Sequence, residues 1–211
     1  FLVSSLQAKK SKYSFSQFLK RFSIVKEEMH IDLDEFDLSY YTYGMSIYKN
    51  MPLIEPLETK EVKKIYEFVI VLDTSYSINE ELAKRFLSNT YTILSTSNMF
   101  YKSCKVHIIQ CDDRIRKDDV ISNQNEMDRL LNSFTLVGGG NTDFRPVFSY
   151  VNDLIDQKVF QNLCGLLYFT DGKGIYPKKS PAYKTAFIYL EDYDRSKVPS
   201  WAIQYRLEEK L

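Results

Sequence analysis

The sequence predicts an α/β fold: a doubly wound, mainly parallel sheet with helices on both faces, preceded by a helical and irregular amino-terminal extension. Three observations carry that reading. Phe68 to Leu72 is an unbroken apolar run, β-branched at Val69, Ile70 and Val71, and a strand buried on both faces reads this way. Comparable runs recur over 105–111, 163–170 and 185–190 with stretches of helical period between them. Such alternation implies parallel strands joined by crossover helices. Finally, the runs over 68–72 and 163–170 are each followed by a carboxylate, Asp73 and Asp171. Open α/β sheets bind ligands there, outside the carboxyl ends of their strands.

Taken in order, residues 1–13 are mixed and Lys-rich. Ser14-Phe15-Ser16-Gln17 fits a capping box, and Phe15, Phe18, Leu19, Phe22 and Val25 recur at helical spacing, so a helix is expected over 15–28. The Tyr-rich text from His30 to Pro56 ends in two prolines and predicts an irregular strap. Beside His30, the acidic cluster Asp32, Asp34, Glu35 and Asp37 matches no metal-loop spacing; a solvated connector with helix-capping aspartates is expected. Residues 1–61 are thus the helix-and-strap extension and 62–211 the α/β domain. There the first strand is expected over 66–72. Ser77-Ile78-Asn79-Glu80 reads as another capping box, opening a helix to about 96 whose one face carries Leu82, Phe86, Thr90 and Ile93. A strand over 105–111, a short edge strand over 114–122 and a helix over 124–133 follow. The glycine-rich turn over 137–142 then leads to a helix over 145–157 and strands over 163–170, 185–190 and 201–207.

Composition narrows the class. Twenty-eight basic residues balance 28 acidic ones, which argues against a dedicated nucleic-acid binder. The 16 tyrosines are expected at boundaries, ring inward and hydroxyl outward. Cys104, Cys111 and Cys164 are odd in number and lie in or beside strand-like runs without metal-ligand spacing; buried thiols in a reducing compartment explain them. No run reaches the length of a membrane span and no signal segment is visible, so a cytoplasmic location is expected. The chain begins at Phe1 rather than Met, and an upstream region is expected.

The chemistry concentrates in three loops. Asp73, Ser75 and Ser77 place a carboxylate and two hydroxyls at alternate positions after the first strand. Hard divalent cations such as Mg2+ take oxygen ligands in near-octahedral array and keep several waters. The second loop is Gly138-Gly139-Gly140-Asn141-Thr142-Asp143, where glycines permit positive φ and close backbone approach before a helix. The third is Phe169-Thr170-Asp171-Gly172. In this order, inside an alternating α/β pattern, the loops resemble the von Willebrand factor A (VWA) fold. The resemblance implies a metal-ion-dependent adhesion site in which Asp73, Ser75 and Ser77 answer the DxSxS loop, Thr142 the Thr and Asp171 the final Asp. It implies Mg2+, with Mn2+ or Ca2+ as alternatives, and a coordination position filled by an acidic residue of a protein partner.

The segments LIEPLE (53–58), FVIVLDTSYS (68–77), HIIQCD (107–112), GGGNTDFRPVF (138–148) and LLYFTDGKGIYP (166–177) also resemble the carboxy-terminal VWA-like domain of bacterial predicted metallopeptidases. That resemblance implies an adaptor or co-chaperone partnered with a MoxR-type AAA+ ATPase. The family's HExxH motif is absent from this sequence, whose histidines are His30 and His107, so peptidase activity is not carried over. Tyr76 stands where Gly is frequent and removes no ligand. Asp143 is expected either to cap the following helix or to add a carboxylate near the metal. Asp112 is expected as a solvated turn carboxylate, with a seat near the metal as the alternative. His107 is expected as a hydrogen-bonded core histidine, and Lys173, Lys178 and Lys179 as a solvated charged loop. The competing function is a metal-dependent hydrolase or phosphotransferase using the same carboxylates. For phosphotransfer, Ser75 stands where the second, acid/base Asp belongs, and a serine cannot protonate a leaving group at neutral pH.

Overall fold

In the computed structural model, residues 15–96, 100–190 and 192–207 are described. Their strands are β1 (Ile24–Phe36), β2 (Pro56–Asp73), β3 (Phe100–Cys111), β4 (Ile115–Ile121), β5 (Leu163–Thr170), β6 (Thr185–Tyr189) and β7 (Ile203–Arg206). The main helices are α1 (Leu38–Tyr48), α2 (Glu80–Thr96), α3 (Gln124–Asn132) and α4 (Arg145–Asp156). The chain divides into two compact units, one running to Ser23 and resuming at Ile65, the other Ile24–Lys64.

The sheet of the larger unit runs β4-β3-β2-β5-β6-β7. β2 is parallel to β3 and β5, and β5, β6 and β7 are parallel in turn. Only β4 is antiparallel, on the edge beside β3. From β2 the chain moves outward to β3 and β4, then returns to lay β5 on the other side of β2. The order therefore reverses between β2 and β5, and loops leaving those two strands bound a crevice.

Alternate residues of β2 supply two cores. Val69 and Val71 pack with Val147, Phe148 and Val151 of α4 on one face. On the other, Phe22 meets Phe68 at 5.4 Å, and Phe86 of α2 stacks on Phe169, the register partner of Leu72, at 4.1 Å. Both faces are covered, as the apolar run requires.

The extension departs from expectation. Helix persists only over 15–19, followed by a 3-10 turn at Lys20–Phe22, and Val25 already lies in β1. The cap expected at Ser14 lies outside the described residues. Phe15 and Phe18 pack against Tyr205 at 5.3 and 4.6 Å, so this short segment covers the sheet. Most of the expected irregular strap is ordered secondary structure, with 49–55 irregular. Within the smaller unit, β1 pairs antiparallel with the first part of β2, Ile24 opposite Lys64 and Met29 opposite Thr59. Asp37 caps α1, accepting from the amides of Ser39 and Tyr40 at 2.7 and 3.3 Å, so one aspartate of the acidic cluster caps a helix as expected. The side chains of His30 and Asp32 lie outside those described. The hairpin escaped prediction although Met29, Ile31 and Leu33 alternate with His30, Asp32 and Asp34; the three apolar side chains are exposed, and no side chain over 56–64 is buried.

Candidate metal and partner-binding site

The first and third loops meet at the reversal of strand order. Asp73, fully buried at the end of β2, accepts the Ser75 amide on Oδ1 at 2.9 Å and the Thr170 hydroxyl on Oδ2 at 2.6 Å. Its carboxylate thus spans from β2 to the last residue of β5. The Ser75 and Ser77 hydroxyl oxygens lie 3.3 Å apart, and Ser77 donates to Asp171 Oδ2 at 2.7 Å. Asp171 also accepts the Lys173 amide on Oδ1 at 3.0 Å, with the Lys173 ammonium 3.4 Å from Oδ2. Thr142, from the second loop, lines a cleft of about 410 Å3 together with Asp171, Lys173, Ile175 and Tyr193. Four of the five expected donors therefore form one hydrogen-bonded series, and the fifth, Thr142, shares a cleft with Asp171.

The glycine loop achieves its approach through its sequence. Gly139 has φ of 108°, and its amide donates to the Thr74 carbonyl at 2.8 Å. A Cβ on Gly138 would stand 2.2 Å from Thr74 Oγ1, so a side chain there would push the first two loops apart. Gln110 holds the preceding segment, donating to the Thr135 carbonyl at 3.0 Å and accepting the Val137 amide at 2.7 Å. The capping box expected at Ser77 is not formed. Asn79 accepts from the Glu81 amide at 2.9 Å instead, because the Ser77 hydroxyl is turned to Asp171. Glu80 accepts the Leu136 amide at 3.1 Å.

Charge at the site is unevenly held. Burial raises the Asp73 pKa against the hydrogen bonds from Thr170 and Ser75, and the Asp171 charge raises it further. For Asp171, burial acts in the same upward sense, yet the Lys173 amide, the Ser77 hydroxyl and the Lys173 ammonium outweigh it and lower the pKa. Two mutually repelling carboxylates with three hydroxyls form an all-oxygen donor set that suits a hard divalent cation. With metal–oxygen distances of about 2.0–2.1 Å, adjacent oxygens of an octahedral Mg2+ shell lie about 2.9 Å apart. The observed spacings of 3.3 and 2.7 Å bracket that value, so Ser75, Ser77 and Asp171 have the spacing such a shell requires. Among the described residues, no group of three or more His, Cys, Asp and Glu side chains is placed to hold a metal.

The remaining candidates have other partners. Asp112 is neither a solvated turn residue nor open toward an ion: it is fully buried and gripped by Arg116 through Nε at 2.8 Å and Nη2 at 2.7 Å. Burial would raise its pKa, but the guanidinium and neighbouring amides prevail and hold it far below the usual carboxylate range. Asp143 pairs with Arg145 through Nε and Nη2 and accepts the Arg145 amide at 3.0 Å, a turn at the start of α4; the Arg145 bonds lower its pKa. His107 is buried, with Nδ1 3.0 Å from Asp118, and is a core histidine as expected. All three cysteines are free and buried, with burial pushing the Cys111 thiol up to about 12. Sequence reasoning missed Thr170 and Arg116. The Thr-Asp pair closing β5 was a signal for the first; nothing local announces the second.

The family of VWA-like domains designated DUF2201 matches residues 68–208. The chain belongs to this family. No curated protein sequence matches it. Among solved structures, the SpRpn10 VWA domain is similar at 9% identity and TM-score 0.49, over 70% of this chain and 91% of that one. A von Willebrand factor type A protein from Catenulispora acidiphila gives 9% identity and TM-score 0.48, over 72% and 40%. An aerotolerance-related membrane protein from Bacteroides fragilis gives 14% identity and TM-score 0.44, over 68% and 92%. VWA domains generally mediate protein–protein interaction, and the VWA-like fold suggests a protein-interaction module here. Among the described residues, no helix is long and apolar enough to cross a membrane.

Proposed function

We propose that this VWA-like domain is a Mg2+-dependent protein-binding module whose metal-ion-dependent adhesion site is Asp73, Ser75, Ser77, Thr142 and Asp171. The observation that carries the reading is the Ser77–Asp171 hydrogen bond at 2.7 Å, which brings donors of separate loops within reach of one ion. A bound Mg2+ would supply an open coordination position for a partner's carboxylate. The chain's own part is preparation. Thr170 orients Asp73, the serine hydroxyls are held in sequence, and the exposed Tyr76 ring stands beside them as a contact surface. The partner we propose is an acidic segment of a MoxR-type AAA+ ATPase, with the domain acting as adaptor or co-chaperone. The sequence resemblance supports that choice. A cytoplasmic setting accords with three unpaired thiols.

Calorimetric titration of Mg2+ and Mn2+ into the metal-free protein, wild type beside Asp73→Ala, tests the reading. Saturable binding lost in the variant is the expected result. No binding heat, together with no rise in melting temperature at millimolar metal, overturns it. Metal-dependent turnover of a phosphoester, abolished in Asp73→Asn, would favour the hydrolase reading instead.

A further inference from the structure

Asp112 supplies the second loop with anchors on both sides of Thr142. Its Oδ2 accepts the Gly140 amide at 3.1 Å, and its main-chain carbonyl accepts the Asp143 amide at 3.0 Å. Only Asn141 and Thr142 lie between these two fixed points. The carboxylate is itself saturated. Oδ1 accepts from Arg116 Nε at 2.8 Å, the Asp113 amide at 2.7 Å and the Arg114 amide at 3.2 Å, while Oδ2 takes Arg116 Nη2 at 2.7 Å beside Gly140. Since a carboxylate offers about four lone-pair sites, none is left for an ion. The fit is close, for a Cβ on Gly140 would stand 2.9 Å from Asp112 Oδ2. Arg116 comes from β4, the antiparallel edge strand, whose register sets Lys117 opposite Gln110 and Ile115 opposite Cys111. The hairpin of β3 and β4 therefore delivers the guanidinium to the carboxylate.

We infer that Asp112, locked by Arg116, is a positioning residue: it holds Thr142 at the height and orientation required to complete the oxygen set of Asp73, Ser75, Ser77 and Asp171. This rests on the metal-site reading proposed above. Arg116 fixes the carboxylate, the carboxylate fixes Gly140, and the Asp112 carbonyl fixes Asp143. Loss of either member of the ion pair loosens the Gly140 anchor, leaves the main-chain bond to Asp143 in place and removes no donor to the ion.

The test is Mg2+ affinity measured on folded protein well below the melting temperature, for wild type, Arg116→Gln, Arg116→Lys and Asp112→Asn. Val151→Ala, a core change in α4, serves as a control for lost stability. Partners lying behind metal ligands typically change affinity about 10- to 100-fold when removed. The expected result is a loss of that order in Arg116→Gln, a smaller loss in Arg116→Lys, which keeps one cationic donor, and wild-type affinity in Val151→Ala. Asp112→Asn retains an acceptor for the Gly140 amide and falls between. Wild-type affinity in the Arg116 and Asp112 variants overturns the inference alone, as does an equal loss in Val151→Ala. Absence of saturable binding in the wild type overturns the metal-site reading and this inference with it.

Discussion

The Ser77 hydroxyl donates to Asp171 Oδ2 at 2.7 Å, joining side chains 94 positions apart. Ser77 is exposed and at the first turn after β2, while Asp171 is buried at the end of β5. The bond contributes little to the fold, because an exposed hydroxyl exchanges readily with water. Ser77→Ala should therefore change unfolding free energy by no more than about 1 kcal/mol. In calorimetry the same variant should bind Mg2+ at least roughly tenfold more weakly, as loss of an ion's own ligand should cost no less than loss of a partner behind it. A large fall in stability with unchanged affinity would reverse the assignment.

Thr170 has the opposite balance. Its hydroxyl donates to Asp73 Oδ2 at 2.6 Å and accepts the Gly172 amide at 3.0 Å, all in buried surroundings. Thr170→Val keeps the shape and strands both groups. A cost of about 1–3 kcal/mol is expected, read as a lower urea midpoint at unchanged slope.

Lys173 places its ammonium 3.4 Å from Asp171 Oδ2, where it neutralises part of the charge that an ion would use. Lys173→Met should tighten Mg2+ binding severalfold, while Lys173→Arg leaves it near wild type. Titrations at two salt concentrations check the origin: the gain should shrink as salt screens the exposed ammonium.

Acid stability should report on Asp112. Its folded pKa is lowered, so its contribution is complete above the unfolded value of about 3.9. It is lost progressively as pH falls from there through the folded value. The stability difference between wild type and Asp112→Asn should be flat from about pH 5 to 8 and narrow below about pH 4. A difference that widens on acidification would contradict the ion-pair assignment.

The sheet of the larger unit was legible because its strands are buried on both faces, and short apolar runs such as Phe68–Leu72, β-branched at Val69, Ile70 and Val71, favour strand over buried helix. The site loops were legible for a related reason: each carboxylate directly follows such a run. The hairpin of β1 with the first part of β2 was not: the alternation Met29, Ile31, Leu33 lies in Tyr-rich, acidic text and its apolar side chains are exposed, while 56–64 is mixed in charge and shows no such period. Asp112 was misjudged because sequence shows a carboxylate after a strand and hides what approaches it. Arg116 becomes its partner only through the antiparallel turn from β3 to β4. The Ser77 capping box failed on competition, since one hydroxyl cannot serve both a helix end and Asp171.

Strand order gives the site a place in time. Asp73, Ser75 and Ser77 leave the ribosome about a hundred residues before Asp171. Their counterpart arrives only when β5 seats beside β2, a contact of high sequence separation that forms slowly. A nascent or carboxyl-truncated copy therefore carries the DxSxS loop without the oxygen that faces it. Under the metal-site reading proposed above, the full oxygen set exists only once β5 is in place beside β2.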